Sequence, residues 1–112
     1  MEPESVERLA KNESFFRQVN ERIKDVADGF NGDQIYEFLC ECSDPGCTAR
    51  IELTSEQYEW VRANPARFVL SPGHTAGQIE QVVERREEHI VVEKRGIAAR
   101  IAAKLDPRTA ET

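Results

Sequence analysis

The chain has 112 residues and a mass of 12.8 kDa, the size of one domain. Its 15 Lys and Arg stand against 21 Asp and Glu, a formal charge of −6 that disfavours nucleic acid as a partner. Leu, Ile, Val and Phe make up 26 of the 112 residues, enough to fold but only around a thin core. No apolar run approaches the roughly 18 residues of a membrane span. The acidic segment Met1 to Glu7 has neither the basic nor the apolar part of a signal peptide, so a cytoplasmic protein with no membrane partner is expected.

Residues 1–30 read as one long amphipathic helix. Leu9, Phe16, Ile23 and Phe30 recur every seven residues, and Val19 and Val26 follow two of them by three. Asn12 makes the first step of that seam polar. Pro3 suits a first turn, Glu4 and Glu7 favour an N-terminus, and Gly29 can end the helix near Asp28. The stripe packs either on the chain's own domain or on another helix, as a self-association or protein-partner seam. Three heptads are too few to choose.

Residues 31–107 read as a second unit that opens on the turn-forming run Gly29 to Asp33. Gln34 to Cys42 is rich in Ile, Tyr, Phe and Leu and predicts a strand. Ser43-Asp44-Pro45-Gly46 is a turn signal, and Ile51 to Leu53 is the returning strand of a hairpin. Thr54-Ser55-Glu56-Gln57 has the form of a capping box, which starts a helix that directs Tyr58, Val61 and Trp60 to the core. Asn64-Pro65 stops it. Phe68 to Leu70 is a short buried strand that runs into Ser71-Pro72-Gly73-His74. In 76–95 the helical spacing of Ile79, Val82 and Val83 competes with the β-branched run Ile90 to Val92. The reading is a hairpin turning near Arg86 to Glu88. Ile97, Ile101 and Leu105 predict a last helix that Asp106-Pro107 ends, and residues 108–112 are expected to fray. The fold class is therefore α+β, a long N-terminal helix plus a small antiparallel sheet and one or two short helices.

Three cysteines are an odd number for a disulfide scaffold and point to metal or thiol chemistry. Cys40, Cys42 and Cys47 form C-x-C-x4-C, and His74 follows at a rigid Pro-Gly corner. On an extended strand residues i and i+2 share a face, so Cys40 and Cys42 present their sulfurs together. Gly46 lets the loop fold Cys47 back towards them. Three thiolates and one imidazole match a closed structural Zn²⁺ site, with His89 as the rival fourth ligand. Glu41, Ser43 and Asp44 make the surroundings hydrophilic, so packing alone does not explain Cys42 and Cys47. Arg50 offsets part of the formal −1 charge of such a site, or is simply solvated.

No nucleophile motif, carboxylate pair or phosphate loop appears, and an enzyme is not expected. The function expected is a non-catalytic zinc-binding module for protein interaction or regulation. A thiol-based redox switch is the alternative and nucleic-acid binding the third. Residues 1–64 carry a net −7 and residues 65–112 a net +1, and Lys94, Arg95, Arg100, Lys104 and Arg108 face only Asp106. That is a weak basic face.

Phe38-Leu39-Cys40-Glu41-Cys42, Cys47, Ile51-Glu52-Leu53-Thr54 and Pro72-Gly73-His74, with Asn12-Glu13 to Arg22-Ile23, Val91-Val92-Glu93-Lys94 and Asp106-Pro107-Arg108, resemble a family of small bacterial proteins, mostly actinobacterial. The resemblance spans nearly the whole chain. It implies a stand-alone cytoplasmic module in which residues 40, 42, 47 and 74 act as one unit, and it implies no particular activity or partner.

Overall fold

The structure is a computed structural model that describes residues 3–30, 33–42, 44, 46–74 and 80–108; the side chains of 3–7 and 9 are outside that description. It is an α+β fold, as expected. Helix α1 (Pro3–Phe30) leads into strands β1 (Ile35–Leu39) and β2 (Arg50–Thr54), then helix α2 (Ser55–Arg62). Strands β3 (Arg67–Leu70), β4 (Glu80–Arg85) and β5 (Ile90–Lys94) follow, and helix α3 (Gly96–Lys104) comes last. The strands form two antiparallel sheets rather than one, β1-β2 and β3-β5-β4.

The hairpin β1-β2 pairs Ile35 with Thr54 and Leu39 with Arg50, and the Cys40 amide extends it to the Ala49 carbonyl at 3.2 Å. The predicted capping box is present in both directions. The Gln57 amide donates to Thr54 Oγ1 at 3.1 Å, and the Thr54 amide donates to Gln57 Oε1 at 2.8 Å. Tyr58 and Val61 turn inward, whereas Trp60 is exposed and carries the Arg67 guanidinium over its ring. The expected hairpin over 80–94 is present, closed by the Arg86 amide on the His89 carbonyl at 2.8 Å. Ile79 lies outside the described residues. β5 is central in its sheet, which explains its unbroken apolar run: Ile90, Val91 and Val92 are all buried.

Helix α1 packs against β1, α2 and α3, but the face it buries is largely polar. Glu13, Ser14, Arg17 and Asn20 are buried beside Phe16 and Ala27, while Phe15, Val26 and Phe30 are exposed. Each buried polar group has a specific acceptor or donor. Arg17 donates to the carbonyls of Pro65 (2.9 Å) and Arg67 (3.2 Å) with its guanidinium 4.1 Å from the centre of the Phe68 ring. Ser14 Oγ donates to the Leu105 carbonyl at 2.8 Å. Helix α3 packs against α1 and β5. Ala98 and Ala102 are its buried residues, while of the expected stripe Ile101 and Leu105 are half-buried and Ile97 is exposed. Asp106 does more than stop α3: it is buried and takes an ion pair from Arg62. Arg108 was expected to begin the frayed tail but donates to Glu21 (3.0 Å) and, through both terminal nitrogens, to Glu59 (2.9 and 3.0 Å). Residues 109–112 lie outside the described residues.

A buried Glu41 carboxylate joins the two sheets and two helices. Its oxygens accept from Asn20 Nδ2 (2.9 Å), the Tyr58 hydroxyl (2.5 Å) and the Val69 amide (3.2 Å), and its own amide donates to the Val69 carbonyl at 2.8 Å. All three partners of the carboxylate are donors. In Glu41→Gln the amide nitrogen must face one of them, so the variant should lose about 3 kcal/mol of stability, measured by denaturant unfolding of the metal-loaded protein.

The pair Glu13–Lys94 lies at 2.8 Å with both side chains almost fully buried. Burial pushes the Glu13 carboxyl up to about 7 against the opposing pull of Lys94. Lys94→Met leaves burial unopposed and raises that value further. The folded protein then holds a proton that the unfolded chain releases above its ordinary value of 4.5. Stability of the variant should therefore be highest below that value and fall as pH rises. Wild-type Glu13 ionises only near 7, so the deficit relative to wild type should open as pH rises past about 7, grow by up to about 1.4 kcal/mol per pH unit, and close on acidification. Denaturation midpoints across pH check both the size and the sign.

Candidate metal centre

Cys40 stands at the end of β1, one residue past the last ladder pair, and Cys42 two residues on. Cys40, Glu41 and Cys42 alternate: the two sulfurs meet Cys47 and His74, and the carboxylate between them enters the core. Cys47 is returned by a loop in which the Asp44 carbonyl accepts from the Cys47 amide at 3.1 Å. Asp44 Oδ1 also accepts from the Gly46 amide at 2.9 Å, a side-chain imitation of a turn. Ser43 and Pro45 lie outside the described residues. His74 closes a second turn, its amide donating to the Ser71 carbonyl at 3.1 Å. Pro72 and Gly73 occupy the middle of that turn, and Gly73 has φ +86°, a backbone state that glycine adopts without strain.

The result is a group of four. The candidate ligand atoms of Cys40, Cys42, Cys47 and His74 all lie within 4.8 Å of one another. His74 Nδ1 is 3.5 Å from Cys40 Sγ and 3.6 Å from Cys47 Sγ. The four residues are close enough to hold one metal ion, and three thiols with an imidazole make a donor set suited to a soft or borderline cation. His89 does not join them. It sits at the start of the β4-β5 return with Nε2 3.6 Å from Glu84 Oε1.

Cys40 and Cys42 are buried and Cys47 half-buried. Without a cation, burial pushes the Cys40 thiol up to about 12, with the neighbouring Cys42 and Cys47 acting in the same direction. Burial also raises Cys42. The Ser71 amide works the other way, donating to Cys40 Sγ at 3.3 Å and favouring the thiolate. A bound cation would supply the positive charge that these buried thiolates otherwise lack. Arg50 is exposed and donates to the Thr48 carbonyl at 2.9 Å, so it braces the loop between Cys47 and β2.

Two features of the site escape a motif search. The Ser71 amide has no side-chain signature. Glu41 belongs to the core and not to a hydrophilic surround; the signal was available, since the rule that puts Cys40 and Cys42 on one face puts Glu41 on the other. No family model matches this chain, and no curated protein or solved structure matches it either.

Proposed function

We propose that the chain is a non-catalytic zinc-binding module, in which one structural Zn²⁺ on Cys40, Cys42, Cys47 and His74 holds the fold and the assembled surface serves protein interaction. The observation that carries the metal assignment is the sulfur–nitrogen spacing. Tetrahedral zinc with Zn–S of about 2.3 Å and Zn–N of about 2.05 Å sets S and N about 3.6 Å apart. The spacings here are 3.5 and 3.6 Å. Four protein donors fill a tetrahedron and leave no position for water or substrate, which favours a structural over a catalytic ion.

The energetics favour the same reading. A thin core must offset the conformational entropy of some hundred residues, and much of what α1 buries is polar. Zinc on a folded site contributes on the order of 10 kcal/mol, comparable to the stability of a whole domain. A thiol switch would need an accessible thiolate, and Cys40 and Cys42 are buried. The basic face is weaker than the sequence suggests. Lys94 is buried against Glu13, and Arg108 is engaged by Glu21 and Glu59. Among the described residues no helix is long and apolar enough to cross a membrane.

Native mass spectrometry should show one zinc per chain. Chelation should unfold residues 34–75, seen as loss of amide protection across that span, and Cys42→Ser should reproduce the effect without chelator. A Cys42→Ser protein that melts like wild type with and without chelator overturns the structural role. His74→Ala should weaken zinc at least about 100-fold in competition with a chromophoric chelator, more than typical losses from supporting residues. His89→Ala should leave zinc affinity unchanged.

A further inference from the structure

The outer face of α1 joins large exposed apolar side chains to Ile23, which is half-buried against the core. Phe15, Val19, Arg22, Ile23, Val26 and Phe30 fall within about 100° of arc on the helix, adjacent to but distinct from the buried face. Phe15, Val26 and Phe30 are 60%, 57% and 81% exposed. Beside them Val19, Ile23 and Val26 form an almost wholly apolar groove with Tyr36 of β1.

From this face we infer that the chain forms a two-fold symmetric homodimer in which α1 packs antiparallel on α1 of a second copy. This rests on the interaction-module part of the proposed function and is independent of the zinc assignment. The first argument is the order of the stripe. Phe15, Val19, Val26 and Phe30 read the same in both directions about the Arg22–Ile23 step. An antiparallel copy centred there sets Phe15 against Phe30, Val19 against Val26, and the two Ile23 side chains near the axis. An isologous contact requires only that the patch suit itself, residue i meeting j and j meeting i, and this register does so by setting an aromatic against an aromatic and a valine against a valine at each end.

Charge supplies the second argument. Arg22 and Asp25 are both exposed on the flank of the stripe, and neither makes an ion pair among the described residues. In an antiparallel two-fold pairing like flanks meet. The axis then brings the two Arg22 side chains to about 1.5 Å of axial offset, and the Asp25 of the other copy lies about 3 Å further along from each, so two carboxylates flank the guanidinium pair and offset its repulsion.

Area is the third. Phenylalanines exposed to this degree offer roughly 280 Å² between them. Val19, Ile23, Val26 and Tyr36 bring the apolar face to on the order of 500 Å², towards the upper end for the largest patch on a monomer. With the usual polar share, an interface built around it buries about 900 Å² per copy. That meets the ~800 Å² per partner of a stable complex.

The test is sedimentation equilibrium on the metal-loaded protein at roughly 100 µM, where a micromolar Kd leaves the dimer dominant. Wild type is expected at twice the chain mass. Val26→Asp should sediment as a monomer with zinc content and melting temperature retained, because Val26 is exposed in the single chain. Arg22→Asp and Asp25→Arg should each weaken the dimer about tenfold, and the double swap should return it to near wild type. A metal-loaded, natively melting wild type that is monomeric overturns the dimer and leaves the zinc reading standing. A dimer that survives Val26→Asp, or a double swap no better than the single variants, overturns this pairing of the helices.

Discussion

Burying a carboxylate is the constraint around which this fold is arranged. The Glu41 carboxylate has no exposure, and such a group is tolerated only when its lone pairs are occupied by donors. Here the donors come from three different elements: Asn20 on α1, Tyr58 on α2 and the Val69 amide on β3. Oε1 accepts from the Val69 amide and Oε2 from Asn20 and Tyr58 together, so one side chain ties both sheets and two helices. The Glu41 main chain adds its own bond to Val69, so a single residue engages both polar groups of that strand position. Because strand side chains alternate, directing Glu41 to one face directs Cys40 and Cys42 to the other, where they meet Cys47 and His74. The core thus backs the four candidate ligands.

Asn20 extends the same logic along α1. Its amide donates to the Leu39 carbonyl at 2.9 Å and accepts from the Leu39 amide at 2.7 Å, so it serves β1 as a neighbouring strand would. Further along the helix Arg17 reaches the chain around β3, and Glu13 meets Lys94 at the end of β5. These are contacts of direction and fixed length, unlike apolar packing, and their net contribution to stability is modest because desolvation opposes them. What they confer on α1 is a single register. A helix seated only by leucines could slide or rotate by part of a turn at small cost, whereas sliding α1 would strand a carboxylate, a guanidinium and an amide together.

That arrangement also explains which parts of the fold were legible in the sequence. Local chemistry reads well. The capping box at Thr54 and Gln57 and the Pro72-Gly73 corner that presents His74 follow from short-range rules that the rest of the chain does not alter. The meeting of His74 with cysteines 27 and 34 residues away is by contrast a long-range contact, legible only because three Cys and one His complete a donor set. Periodicity misleads where tertiary structure decides which face is buried. The seam of Leu9, Phe16, Val19, Ile23, Val26 and Phe30 is real as a pattern, yet Phe16 is buried and Phe30 is 81% exposed. The inward face is centred instead on Arg17 and Asn20, residues that no hydrophobicity pattern selects. Helix α3 repeats the lesson on a smaller scale, since Ala98 and Ala102 are buried and Ile97 is exposed. The long-range partners Asp106 and Arg108 could not be foreseen at all, because the ion pairs they make with Arg62 and Glu21 join residues 44 and 87 positions apart.

The polar inner face and the apolar outer face of α1 are two sides of one composition. A chain with 26 strong hydrophobes has few to leave in solvent, and yet Phe15, Val26 and Phe30 stand outside while Glu13, Arg17 and Asn20 are inside. Exchanging the two faces would bring apolar area into the core and charges into water, which elementary transfer energetics favour. The fold instead keeps the costlier arrangement and compensates it with directed hydrogen bonds, and with the metal centre clamped behind Glu41. An arrangement of that kind is coherent if the outer face is also covered, since the apolar area then leaves water and no stabilisation is forgone. The polar interior defines where α1 sits in its own chain. The apolar exterior is thereby free to define what α1 meets.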